Sequence, residues 1–310
     1  MRAMRQTVLG GPEVLGEVQL QRPEPGIGEV LIRVRAAGLN PTDWKHRRHG
    51  LFLGRPPFVL GWDVSGEVEA IGTGVTLFKP GDEVFGMLPY PHGAGSHAEY
   101  VTAPARALAR VPSGTGHVTA GALPIAALTA WQSLVDTADV QPGQRVLIHA
   151  AAGGVGHLAV QIAKHRGAHV IGTASTGKHE FLRGLGADEL VDYREVDFAE
   201  AVDEVDVVLD TIGGDTRNRS LGVLRRGGLL VALLFRDRQQ VAAAAENAGV
   251  RAEELVAEAD HTGMEEIARL VTTGELVPTI AGAFPLAEAA RAHEQGETNR
   301  TTGKLVLVVD

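Results

Sequence analysis

The sequence predicts an α/β protein of two domains, a doubly wound parallel sheet and a smaller β-rich domain. Three observations predict it. Residues 1–120 carry short Val/Ile/Leu runs broken by Gly and Pro, residues from 121 onward alternate short β-branched runs with longer amphipathic ones, and a small-residue turn joins a strand to a helix in "RVLIHAAAGGVGHLAVQIAK" at 145–164. A length of 310 residues suits about two domains and is enough to bury a sizeable core.

In the first part, "EVLIRVRAAG" and "VSGEVEAIGTGV" read as strands, separated by the turn signals "RPEPGIG" and "FKPGDEV". The pattern is that of a compact, mostly antiparallel β domain. From 121, "AHVIGTAST", "GKHEFLRGLGA", "DELVDYR" and "EVDVVLDTIGG" continue the alternation of a parallel sheet. After about 283 one short helix precedes an alternating strand, "KLVLVV", which has no slot in a complete six-stranded parallel sheet and is expected to return to the first domain. The expected domains are therefore 1–120 with 283–310, and 121–282.

The turn has the form Ala151-x-Gly153-x-x-Gly156, in the strand–turn–helix setting that dinucleotide binding requires. A small residue at 151 suits the tight turn. Gly153 lets the backbone approach a pyrophosphate, and Gly156 lets the helix pack on the strand. Gly154 and Val155 complete a loop whose following helix offers free N–H groups to the anion.

After the next strand no Asp or Glu stands where an adenosine ribose 2′-OH would be read. The chain offers Ser175 and Lys178 instead, with Tyr193 and Arg194 after the following strand. A donor and positive charge suit a 2′-phosphate, so NADPH is expected over NADH. The alternative is that Ser175 caps a helix starting near Gly177 and Lys178 is a solvated first-turn residue.

Composition narrows the function. A net charge of −9 disfavours nucleic acid, whose non-specific affinity comes from Lys and Arg neutralising phosphates. The longest apolar run, "LLVALLF" at 229–235, falls far short of the roughly 18 residues of a membrane span. The absence of cysteine rules out disulfides and thiolate metal sites, and with no signal-peptide pattern the cytoplasm is the expected location.

Several blocks in order resemble the medium-chain dehydrogenase/reductase superfamily, in its zinc-independent quinone oxidoreductase (zeta-crystallin-like) branch. They are "AAGLNPTDWKHRRHG" at 36–50, "LGWDVSGEVEAIGTGVTLFKPGDEVFG" at 60–86, "LPIAALTAWQSL" at 123–134, the glycine turn, "DTIGG" at 210–214 and the terminal "GKLVLVV". The resemblance implies a chaperonin-10-like catalytic domain built from both chain ends, a central Rossmann domain, and NADPH in the cleft between them. Zinc members carry a cysteine where this chain has Asn40 and Gly-His-Glu where it has Gly61-Trp62-Asp63.

The same resemblance points to Asn40 as a pocket residue, with an Asx-turn before Pro41 as its structural alternative. Lys45 is a second catalytic candidate, the alternative being a helical lysine facing water. Thr129 resembles a family residue beside the nicotinamide ribose, the alternative being a helix cap or an i−4 hydrogen bonder, and Lys304, in the terminal motif, is placed with the cofactor. Trp44 and Trp62 are core residues or walls of a flat pocket. The run His46, Arg47, Arg48, His49 is read as a solvated basic loop rather than a metal site, since two arginines repel a cation.

Without a metal Lewis acid, alcohol oxidation is poorly served, whereas hydride delivery to a conjugated carbonyl needs only hydrogen-bond donors on the oxygen that gains charge. The expected activity is NADPH-dependent reduction of a quinone or an α,β-unsaturated carbonyl. The alternatives are a pathway-specific enoyl reductase and a low-turnover NADPH-binding structural or RNA-associated protein. The resemblance also implies a homodimer joined through the Rossmann domains, for which "GGLLVALLF" at 227–235 could form an apolar strand near a sheet edge.

Overall fold

The computed structural model describes residues 1–233 and 238–310, which divide into two compact units. The first comprises 1–128, 258–274 and 278–310; the second comprises 129–257 and 275–277. Among the described residues no helix is long and apolar enough to cross a membrane.

In the first unit, the long strand Glu29–Leu39 pairs antiparallel with Asp63–Ile71, Tyr100–Pro104 and Lys304–Val308, so the terminal alternating run does return here. Ile280–Pro285 adds to the far side of Lys304–Val308 in parallel, the one departure from antiparallel pairing in this sheet. A three-stranded sheet of Arg2–Gln6, Gly16–Gln19 and Phe58–Val59 completes the β structure. Inward side chains such as Ile32, Leu60, Trp62, Val64, Leu108 and Leu307 form its core.

The helix His261–Thr272 also belongs to this unit, although the sequence pattern placed 121–282 together. Asp260 caps it by accepting from Thr262 and Gly263 N–H, and His261 Nδ1 bonds the Leu108 carbonyl at 2.6 Å. A Cβ at Gly263 would stand 3.0 Å from Leu128.

The second unit carries six parallel strands in the order Glu189–Val191, His169–Thr173, Arg145–Ile148, Val205–Asp210, Leu224–Leu233 and Arg251–Leu255. Numbered along the chain this is 3-2-1-4-5-6, the Rossmann order, whose reversal beside the first strand opens a crevice at the carboxyl ends. Leu147, Ile171, Val208 and Leu230 are fully buried, as befits a parallel sheet covered on both faces.

Two expectations need correction. Residues 46–49 are not a solvated loop but the last turns of the helix Pro41–His49, whose pitch turns His46 and Arg47 inward. Both are fully buried, and Arg47 pairs with Glu297 at 2.7 Å. The apolar strand Leu224–Leu233 is not an edge either: Arg251–Leu255 pairs along it and forms the edge, while Leu234 and Phe235 lie outside the described residues.

Candidate active site

The glycine turn follows Arg145–Ile148 and leads into the helix Gly156–His165. Ala150 sits at φ +48°, a left-handed conformation, with its N–H on Thr173 Oγ1 at 3.2 Å and its carbonyl accepting Gly153 N–H at 2.8 Å. Ala151 is fully buried, as the tight turn demands. A Cβ at Gly156 would lie 2.4 Å from Ala150 O and 2.7 Å from Ala151 Cα, so only glycine lets the helix approach the turn. The N–H groups of Gly154, Val155 and Gly156 have no partner among the described residues. Unpaired donors at a helix N-terminus fit a pyrophosphate.

Beneath the turn, His149 bridges Thr173 and Ser220 at 3.2 and 2.9 Å, and burial lowers its pKa to about 4. This neutral imidazole supports the turn and was not singled out in the sequence.

The loops after the second and third strands are stitched together. Asp192 accepts from Thr176 N and Oγ1, both at 2.6 Å, and from Arg194 N at 2.9 Å; these bonds, the Thr176 hydroxyl's foremost, lower its pKa to about 2. The sequence search for a carboxylate after the second strand missed Asp192 because the third strand supplies it. Its oxygens are committed to the loop. Ser175 stands at the start of the short 3₁₀ turn Thr176–Lys178 without a side-chain capping bond, so the capping alternative fails. The Lys178 pKa is lowered by burial and by the positive charge of Arg194, which places two cations near one another. Tyr193 is 57% exposed, with the Arg194 guanidinium 5.7 Å from its ring centre.

In the first unit, three residues far apart in sequence share a buried network. Strand pairing of Leu39 with Leu305 sets Lys304 beside Asn40, and Asp63 opens the neighbouring strand. Lys304 Nζ donates to Asn40 Oδ1, to the Leu39 carbonyl at 2.9 Å and to Asp63 Oδ2 at 3.4 Å. Asn40 Nδ2 donates to Asp63 Oδ2 at 2.8 Å, and Asp63 Oδ1 accepts Ile125 N–H at 2.7 Å. Burial pushes the Asp63 pKa up, against Lys304 and Asn40, which pull it down.

Asn40 occupies the N-cap position of its helix in a capping box with Asp43, and its carboxamide also joins the network. Its backbone N–H is held by Asp43 at 2.7 Å. Asp43 is fully buried, and burial pushes its pKa up to about 7. Asp43 did not stand out in the sequence as part of a site, and Asp63 did so only as the residue standing where zinc members carry a glutamate.

The remaining candidates separate. Lys45 lies exposed on the helix, apart from the network. Trp62 is fully buried core, its ring centre 4.9 Å from that of His46 with the planes tilted by 55°, and Trp44 packs over Gly296. The Thr129 hydroxyl has no partner among the described residues; its carbonyl accepts Ser133 Oγ at 2.6 Å. A zinc ion does not fit here, because the Lys304 ammonium already bonds both Asn40 and Asp63 and Trp62 offers only an N–H donor.

Residues 26–113 match the alcohol dehydrogenase GroES-like domain, and residues 185–307 match the zinc-binding dehydrogenase family. The chain is 38% identical to a 2-haloacrylate reductase of Burkholderia sp. over 96% of each sequence. The quinone oxidoreductase of Coxiella burnetii superposes with a TM-score of 0.95 at 38% identity, covering 100% of this chain and 99% of that one. Escherichia coli quinone oxidoreductase complexed with NADPH superposes at 0.89 with 29% identity, over 99% and 100%. With these matches, the strand order and a donor set that does not fit zinc, the chain belongs to the medium-chain dehydrogenase/reductase superfamily, in its zinc-independent quinone oxidoreductase branch.

Proposed function

We propose that this protein is an NADPH-dependent reductase that delivers hydride to a quinone or an α,β-unsaturated carbonyl. The observation that carries this reading is the donor set around Asn40, an ammonium and a carboxamide where zinc members place metal ligands. Such a set stabilises an oxygen that gains charge by hydrogen bonding rather than by Lewis acidity. The relative that reduces 2-haloacrylate supports a conjugated acid or carbonyl beside the quinones.

NADPH, when bound, supplies the hydride from its nicotinamide ring. The free N–H groups of Gly154, Val155 and Gly156 would hold its pyrophosphate, and Thr129 would orient the ribose next to the nicotinamide. Ser175, Lys178, Tyr193 and Arg194 would meet the adenosine end. Asn40 would donate a hydrogen bond to the oxygen of the acceptor. Acceptor-dependent oxidation of NADPH with a benzoquinone and with an alkyl enone tests this directly; no turnover with either acceptor would remove it.

Lys178→Ala should weaken NADPH by about 1–3 kcal/mol, the scale of a lost charge-assisted hydrogen bond, and leave NADH nearly unchanged. Fluorescence titration of both cofactors reads the difference, and equal losses would break the assignment of Lys178 to the 2′-phosphate. A homodimer belongs to the same reading, with Arg251–Leu255 as the strand offered to a second copy. A monomer by light scattering at micromolar concentration would overturn it.

A further inference from the structure

We propose that Lys304 is a positioning residue for the reduction, a built-in cation that locks and polarises the Asn40 carboxamide so that one N–H is aimed at the acceptor oxygen. This rests on the reductase reading above.

Each hydrogen of the Lys304 ammonium faces an acceptor: Leu39 O, Asn40 Oδ1 and Asp63 Oδ2. An ammonium has no lone pair, so the Asn40 atom that meets it is the oxygen, and the orientation of the amide is decided. Nδ2 then carries two hydrogens. One goes to Asp63 Oδ2, which is itself held because Oδ1 takes the Ile125 N–H. The other has no partner among the described residues. Asn40 is only 4% exposed and Lys304 3%, so this single spare donor is almost stripped of water and cannot rotate away.

A positive charge on the carbonyl side of an amide draws electron density from its nitrogen and strengthens the N–H as a donor, more so in a low-dielectric interior. When the β-carbon of an enone, or a quinone ring, accepts the hydride pair, the displaced π electrons end on oxygen. That oxygen is where a fixed donor is worth most. Asp63 Oδ2 lies 3.4 Å from the ammonium, and the effect of the lysine is felt through the bridging carboxamide. Stability is a poor explanation for the arrangement, because a buried ion pair often gains little over apolar packing.

The test is a double-mutant cycle of Asn40→Ala and Lys304→Met, read as kcat per folded molecule with a benzoquinone and with an enone, the folded fraction being taken from near-UV circular dichroism. Lys304→Met alone should lower kcat at least tenfold and leave the Kd for NADPH within about twofold. In the Asn40→Ala background the same change should cost less than about twofold, since the group through which it acts is gone. Costs that simply multiply, or a Lys304→Met protein with normal kcat, overturn the proposal. Should the methionine variant not fold, Lys304→Gln enters the same cycle with the same criteria. A wild-type protein that oxidises NADPH with neither acceptor removes the reductase reading instead; an active wild type with a multiplicative cycle removes only the role of Lys304.

Discussion

Gly156→Ala is expected to abolish NADPH binding and to lower the stability of the second unit by about 1–3 kcal/mol, the usual cost of forcing a methyl group into a packed site. The added Cβ would meet Ala150 O at 2.4 Å and Ala151 Cα and O at 2.7 Å. These are backbone atoms, so no side-chain rotation relieves the contact. The turn has little room to retreat, because Ala150 is already left-handed and its N–H is held by Thr173. Relief must come from moving the helix away from the strand, which carries the free N–H groups of residues 154–156 out of register with the anion. Gly177→Ala is the control: nothing lies within 4 Å of its Cβ position, and its stability should change by less than about 0.5 kcal/mol. Thermal melting and cofactor titration of both variants decide the matter. An alanine protein at 156 that melts and binds like the wild type would show that the turn is looser than drawn.

His97 should make the first unit sensitive to acid. It is fully buried with neither ring nitrogen bonded, and burial alone lowers its pKa from 6.5 to about 3. Across the cluster, His293 is likewise pushed down by burial, then by His97 and Arg47, whose guanidinium lies 2.9 Å from His293 Nδ1. The sign follows from proton uptake. Below pH 6.5 an unfolded chain protonates this histidine and the folded one does not, so its contribution falls as pH drops from about 6.5 toward 3. Asp43 acts in the opposite sense: its raised pKa makes the folded state take up the proton first, which favours folding as pH falls from about 7 to 4. The His97 effect must therefore be read as a difference. Relative to wild type, His97→Leu should gain about 2 kcal/mol between pH 7 and pH 5, as one pKa unit is about 1.4 kcal/mol. Urea unfolding at the two pH values measures this, and an unchanged difference would mean that a charged His97 is tolerated in place.

Local chemistry made much of the second unit legible. The glycine turn announces itself because each small residue answers a steric need within seven positions of its neighbours, and the structure shows that need at Ala150, Ala151 and Gly156. The edge strand Arg251–Leu255 was hidden because "RAEEL" lacks a two-residue apolar alternation. A strand that is solvated along its edge has no reason to show one. The run at 46–49 misled in the other direction: its four basic side chains suggest water, yet helical pitch and the Glu297 carboxylate allow Arg47 to be buried. Asn40 and Lys304 both stood out in the sequence, but as separate candidates, and their meeting with Asp63 was not legible. Lys304 and Asp63 are separated by 241 residues, and no local period links them.

The pairing of Lys304–Val308 with Glu29–Leu39 also sets an order of assembly. The second unit lies as an insert within the sequence of the first, so its parallel sheet can form from contiguous chain, whereas the first unit waits for a partner some 270 positions downstream. A folded insert that keeps its own ends near one another shortens the effective loop and makes that late closure less costly in entropy. Until it happens, residues 36–39 lack one of their strand neighbours and Asn40 lacks the ammonium that holds its carboxamide. The glycine turn, by contrast, draws its contacts from residues 149–220 alone, so it can form before Lys304 reaches Asn40.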